Sequence, residues 1–153
     1  MRAALLVTSF LALGLAGCPV GDDDDDDSNV CGDLTRAQTY VEGVEADVIS
    51  GDFRVALMAA TPAPPNVDDN AWVIEVTDSA GDAATGCTCT VTPWMPDHGH
   101  GASVAPSCVE SATVDGQYDI VMDFIMPGYW EVTVEMECGA DVGENAFGFC
   151  AEG

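Results

Sequence analysis

The chain has 153 residues and a formal charge of −24, with 27 Asp plus Glu against 3 Lys plus Arg. A surface of that sign repels a phosphate backbone, so nucleic acid is excluded as a partner, and the absence of Lys excludes polybasic attachment to anionic lipid. Hydrophobic residues nevertheless make up 48% of the chain, too many for a disordered acidic polymer.

The first seventeen residues have the form of an export signal: Arg2 supplies a positive charge, Ala3 to Leu15 is apolar, and the run is too short to span a membrane. It ends in Leu15-Ala16-Gly17-Cys18, which resembles the bacterial lipobox. That resemblance implies cleavage before Cys18, lipidation of its sulfur, and a membrane anchor. Pro19 stands where an Asp would favour inner-membrane retention, so the expected location is the outer membrane, on its periplasmic or surface face. Processing leaves Arg36 and Arg54 as the cations facing all 27 acids. The anchor is followed by Asp22 to Asp27, six consecutive aspartates that self-repel and make residues 18–30 an extended acidic tether. This run lacks the turn glycine and bidentate glutamate of an EF-hand loop. The folded domain is then expected over residues 31–153.

Seven cysteines occur, and lipidation of Cys18 leaves six: Cys31, Cys87, Cys89, Cys108, Cys138 and Cys150. An even number in an oxidising compartment predicts three disulfides. Cys138 and Cys150 flank the connection into the last strand and are the first expected pair. Cys87 and Cys89 cannot share a partner, so they are assigned to different members of Cys31 and Cys108. The single residue between Cys87 and Cys89 is too tight a spacing for a usual structural zinc or thioredoxin-type pair.

From Asp52 onward the pattern is that of strands and turns. Seven strands are predicted, at about 53–59, 71–77, 86–92, 103–109, 117–124, 130–138 and 145–150. Phe53, Val55 and Leu57 share one face, as do Trp72, Ile74 and Val76, then Tyr118, Ile120, Met122 and Phe124, with Asp119 and Asp123 turned to water. Trp130 to Cys138 alternates without a fault. Residues 43–50 offer an extra edge strand. Half-buried strands of this kind need a second sheet over their apolar faces, so the expectation is an all-β, disulfide-stapled sandwich of about seven strands.

Chemistry concentrates between the third and fourth strands, in Pro93-Trp94-Met95-Pro96-Asp97-His98-Gly99-His100-Gly101, which holds both histidines of the chain. If this segment is extended, His98 and His100 project to one side and can share an ion. Imidazole suits Cu(II), Ni or Zn, and the thioether of Met95 favours Cu(I). Met126 adds a second thioether if its hairpin lies at the same end of the sandwich. The predicted ligand set for copper is therefore Met95, His98, His100 and Met126. No GxSxG elbow, HExxH helix or phosphate loop is present, and an enzyme is not expected. The competing reading is a structural or protein-interaction module of the envelope, without a physiological metal and with another envelope protein as its partner.

Three ordered segments resemble a known family: Met95-Pro96-Asp97-His98-Gly99-His100-Gly101, then Gly116-Gln117-Tyr118-Asp119, then Phe124-Ile125-Met126-Pro127-Gly128-Tyr129-Trp130-Glu131-Val132. They are similar to the YtkA-like domain, which shows a Met-Pro-any-Met-any-His-Gly stretch, a Gly-any-Tyr strand start and a Met-Pro-Gly-any-Trp hairpin. The resemblance covers about Asp52 to Phe149. It implies an immunoglobulin-like sandwich in exported or membrane-anchored proteins, with a link to copper handling. Met95, Pro96, His100 and Gly101 match the pattern, whereas His98 replaces the second methionine. The cysteines from Cys87 to Cys150 are not part of that pattern and look like added staples.

Overall fold

The computed structural model describes residues 30, 31 and 34–153, so Cys18 and the aspartate run lie outside the described residues. Leu34–Arg36 forms one 3-10 turn. Among the described residues no helix is long and apolar enough to cross a membrane. Ten strands follow: β1 (Val44–Glu45), β2 (Asp47–Ser50), β3 (Arg54–Thr61), β4 (Asp68–Thr77), β5 (Thr88–Met95), β6 (His100–Gly101), β7 (Ser107–Glu110), β8 (Gln117–Phe124), β9 (Gly128–Cys138) and β10 (Asp141–Ala151). They form two five-stranded sheets, ordered β1-β3-β4-β8-β7 and β2-β10-β9-β5-β6, with every pairing antiparallel.

The seven expected strands appear as β3, β4, β5, β7, β8, β9 and β10. Residues 43–50 do not make one edge strand. They give two short ones, β1 on the first sheet and β2 on the second. The period-two pattern sets the core: Val55 and Leu57 of β3, Trp72, Ile74 and Val76 of β4, Ile120 and Phe124 of β8, and Trp130, Val132 and Val134 of β9 are all buried. In β3 a register shift between Leu57 and Ala59 inserts Met58 and returns Ala60 to the inside. Trp72 sits at the centre, with Phe124, Phe147 and Phe149 edge-on to its ring at centroid distances of 6.3, 5.6 and 5.6 Å.

Asp123 keeps the expected outward position on β8 but is half-buried there. It accepts hydrogen bonds from the Ser103 amide at 3.2 Å, from the Val104 amide at 3.3 Å and from the Ser103 hydroxyl, pinning the stretch after β6 onto β8. Burial pushes this carboxyl up, but those donors outweigh it and hold it below its ordinary value.

Three disulfides join Cys31 to Cys150, Cys87 to Cys138 and Cys89 to Cys108. The expected Cys138–Cys150 bond is ruled out by the β9–β10 register. Cys138 stands opposite Asp141 beside the turn and Cys150 opposite Tyr129 at the far end, nine ladder steps or roughly 30 Å away. Assigning Cys87 to Cys31 or Cys108 also fails, because Thr88 pairs with Glu137 and Cys87 therefore faces Cys138 across the ladder, Cα to Cα 4.4 Å. Cys89 points the same way but reaches over to β7, so its bond with Cys108 ties the two sheets together. Cys31 is bonded to Cys150 of β10, and residues 34–40 form a strap held to the same strand through Gln38 and Gly148.

Two predictions follow from these contacts. Non-reducing peptide mapping, with fragmentation between Cys87 and Cys89, should recover the 31–150, 87–138 and 89–108 links, and a 138–150 link would contradict the register. Because the folded Asp123 pKa is lowered, its stabilising contribution is present above the ordinary carboxylate pKa and is lost as pH falls through the lower, folded value. Ser103→Ala should move the Asp123 titration, followed by carboxyl carbon NMR, upward toward the unfolded value; an unchanged curve would show that the Ser103 hydroxyl does not help to set it.

Candidate metal centre

β5 ends at Met95, and β6 begins at His100 after the turn Pro96-Asp97-His98-Gly99. The turn is closed by the Gly99 and His98 amides, which donate to the Met95 carbonyl at 2.8 and 3.2 Å. Gly99 has φ +70°, a conformation that glycine takes without steric cost. Met95 pairs directly with His100, so their side chains leave the ladder on the same face. That face is inward: Met95 is buried and His100 half-buried.

The connection from β8 to β9 arrives at the same end and carries Met126. His100 Nε2 lies 3.2 Å from Met126 Sδ, and His100 Nδ1 lies 3.3 Å from the Gly101 carbonyl. The tautomer with its proton on Nδ1 donates to that carbonyl and presents the Nε2 lone pair to the sulfur, and the other tautomer donates Nε2–H to the sulfur. The His98 ring is 5.9 Å from that of His100, centroid to centroid, and is exposed. Of the four expected ligands, His100 and Met126 are in contact, Met95 is buried on the same face of the β5–β6 ladder, and His98 is exposed at the rim. Among the described residues no three His, Cys, Asp or Glu side chains form a metal group, so any ion held here depends on the thioethers.

Two residues that sequence reasoning placed only in a strand and a hairpin organise this cluster. Trp130 is fully buried, stacks on Phe124 at 4.8 Å, turns its ring 5.9 Å from His100, and donates its indole N–H to the Met126 carbonyl at 3.0 Å. Gly128 has φ +141°, and a Cβ there would lie 2.0 Å from the Met95 methyl carbon. The Met-Pro-Gly-any-Trp hairpin is therefore a seat: the glycine makes room for one thioether and the tryptophan holds the backbone that carries the other.

The strap adds a second, electrostatic support. Arg36 forms an ion pair with Asp97 of the turn, and its guanidinium lies 4.3 Å above the Tyr129 ring. Burial raises the Tyr129 hydroxyl pKa and the Glu131 carboxylate adds to this, while Arg36 works against both. The Gln38 amide donates to the Gly148 carbonyl at 2.7 Å, and the Gly148 amide donates back to Gln38 Oε1 at 3.2 Å. Gly148 is needed because a Cβ there would meet the Tyr129 hydroxyl at 2.4 Å. In the sequence the scarcity of cations is the one signal that singles out Arg36; its partner is 61 residues away.

Gly128→Ala should destabilise the fold by about 1–3 kcal/mol through the clash with Met95 and the backbone conformation. Combining it with Met95→Ala should cost less than the two single changes added, in urea unfolding. Strict additivity would mean that the Met95 methyl does not occupy the space over Gly128.

The YtkA-like family model matches residues 48–135, more than half of the chain. No curated protein and no solved structure matches the chain significantly. The matched stretch takes in the Met95–Gly101 hairpin, Met126, Gly128 and Trp130, and the chain belongs to the YtkA-like family.

Proposed function

We propose that the chain is an exported, lipid-anchored copper-binding module whose ion sits between Met95, His100 and Met126, with His98 on the solvent side. Family membership supports the coarser part of this reading, an extracytoplasmic module, and three disulfides suit that compartment. The contact between His100 Nε2 and Met126 Sδ carries the finer part. In the tautomer whose Nδ1–H donates to the Gly101 carbonyl, an imidazole lone pair and a thioether face each other, and a soft cation would satisfy both. Two thioethers and imidazole match Cu(I) and are poorly matched to Ca²⁺ or Mg²⁺. Burial of Met95 keeps one of the donors from water, and the exposed His98 gives an incoming ion a first ligand.

The anchor reading rests on Leu15-Ala16-Gly17-Cys18 and on where the chain enters the domain. The Val30 carbonyl lies 3.5 Å from the position of a Gly128 Cβ, at the same end as the cluster. Twelve residue steps separate Val30 from Cys18, an extended span of at most roughly 40 Å, so the site would work close to the lipid surface. Partners in this reading are the copper ion, the membrane that holds the anchor, and the envelope protein that gives or takes the ion; the role is binding rather than catalysis.

A second reading has its own support. Pro93, Trp94, Val104 and Pro106 border a groove of about 320 Å³ with no charged side chain in its lining, on a chain otherwise rich in acids. Trp94 is 42% exposed there, as a protein-contact residue would be.

Titration with Cu(I) and Cu(II), in moderate salt and excess Ca²⁺ to silence the bulk carboxylates, separates the two. Met95→Ala or Met126→Ala should weaken Cu(I) more than Cu(II), and the His98→Ala/His100→Ala double variant should abolish stoichiometric binding. A double variant that binds copper as well as the parent would remove the metal and leave the groove as the functional surface.

A further inference from the structure

The turn that carries His98 also carries a hard ligand. Asp97 precedes His98 in the chain, and both side chains are exposed. A free carboxylate beside an imidazole is a good donor pair for Cu(II) or Zn(II), and would add an oxygen donor to a cluster otherwise built of sulfur and nitrogen. One oxygen of that carboxylate is already engaged: Asp97 Oδ2 is ion-paired with Arg36. Arg36 is placed for this from three directions. Its guanidinium lies over Tyr129, Gln38 ties its strap to Gly148 of β10, and Cys31 is bonded to Cys150 of that same strand. Arg36 is one of two cations in the chain after the signal segment, and it and both ends of the Cys31–Cys150 bond lie outside residues 48–135, so this support is added to the family domain.

We infer that Arg36 is a specificity-determining residue, which occupies the Asp97 carboxylate and thereby keeps the neighbouring Met95, His100 and Met126 cluster a soft-metal site. The inference rests on the copper reading above and adds to it the reason why a turn with histidine in place of the second methionine still favours Cu(I). Removing the guanidinium frees Asp97 to join His98 and His100 around a harder ion, while the thioethers are untouched.

The test uses the purified full-length chain with its disulfides intact, and measures Cu(I), Cu(II) and Zn(II) affinities by chelator competition in salt and excess Ca²⁺. Arg36→Ala should tighten Cu(II) and Zn(II) by up to about fivefold relative to Cu(I), Arg36→Lys should stay near the parent, and Arg36→Ala/Asp97→Asn should return to the parental ratio. Arg36→Gln removes the charge while keeping a planar polar head and part of the stem, and reads the same ratio should the alanine variant fail to fold. An unchanged ratio in the folded charge-removed variant overturns the inference, as does a gain that persists when Asp97 is Asn. If the parent binds no Cu(I), the copper reading fails by itself; an Asp97-dependent gain of Zn(II) in Arg36→Ala would still show the carboxylate being withheld, and no gain would overturn that too.

Discussion

Trp130 couples the core to the candidate site, and most of the local geometry depends on that coupling. Its six-membered ring and indole belong to the hydrophobic interior, stacked on Phe124 and shielded from water. Its N–H must still find an acceptor, because a buried donor left alone costs about 1–3 kcal/mol. The Met126 carbonyl supplies it. That bond fixes the β8–β9 connection, brings the Met126 sulfur to His100, and leaves Gly128 where the Met95 methyl needs space. One aromatic residue therefore sets the position of two thioethers and one imidazole without touching an ion.

The β5–β6 hairpin meets this seat from the other direction. Pairing of Met95 with His100 turns both side chains inward, so the turn itself is left to present His98 and Asp97 outward. Softness increases with depth: thioether and imidazole on the inner side, imidazole and carboxylate at the rim. The strap controls the rim by electrostatics, and the sandwich controls the interior by packing.

Strong alternation made β4, β8 and β9 legible, since each buries one face and a register slip would expose it. Convergence of Met126 on the histidine loop was also readable, because alternating strands return loops to a common end. The disulfide pairs were not. They follow from ladder register, Cys87 opposite Cys138 and Cys150 at the far end of a hairpin from Cys138, which local patterning does not contain. Arg36 and Asp97 escaped for a related reason: a contact 61 residues apart between a single 3-10 turn and a loop leaves no periodic trace. Asp123 looked like an ordinary outward strand residue, and only the folded path of Ser103 and Val104 gives it donors. Residues 43–50 carry apolar side chains on both faces, and the split between two sheets resolves what the pattern left open.

Two thioethers and an imidazole, positioned by Trp130 and Gly128, form the proposed copper site. X-ray absorption at the copper edge of the Cu(I)-loaded chain measures this directly. The predicted shell contains two sulfur scatterers together with imidazole nitrogen, and Trp130→Phe, which removes the donor to the Met126 carbonyl, should lose sulfur from it. A shell of nitrogen and oxygen alone in the parent would contradict the account.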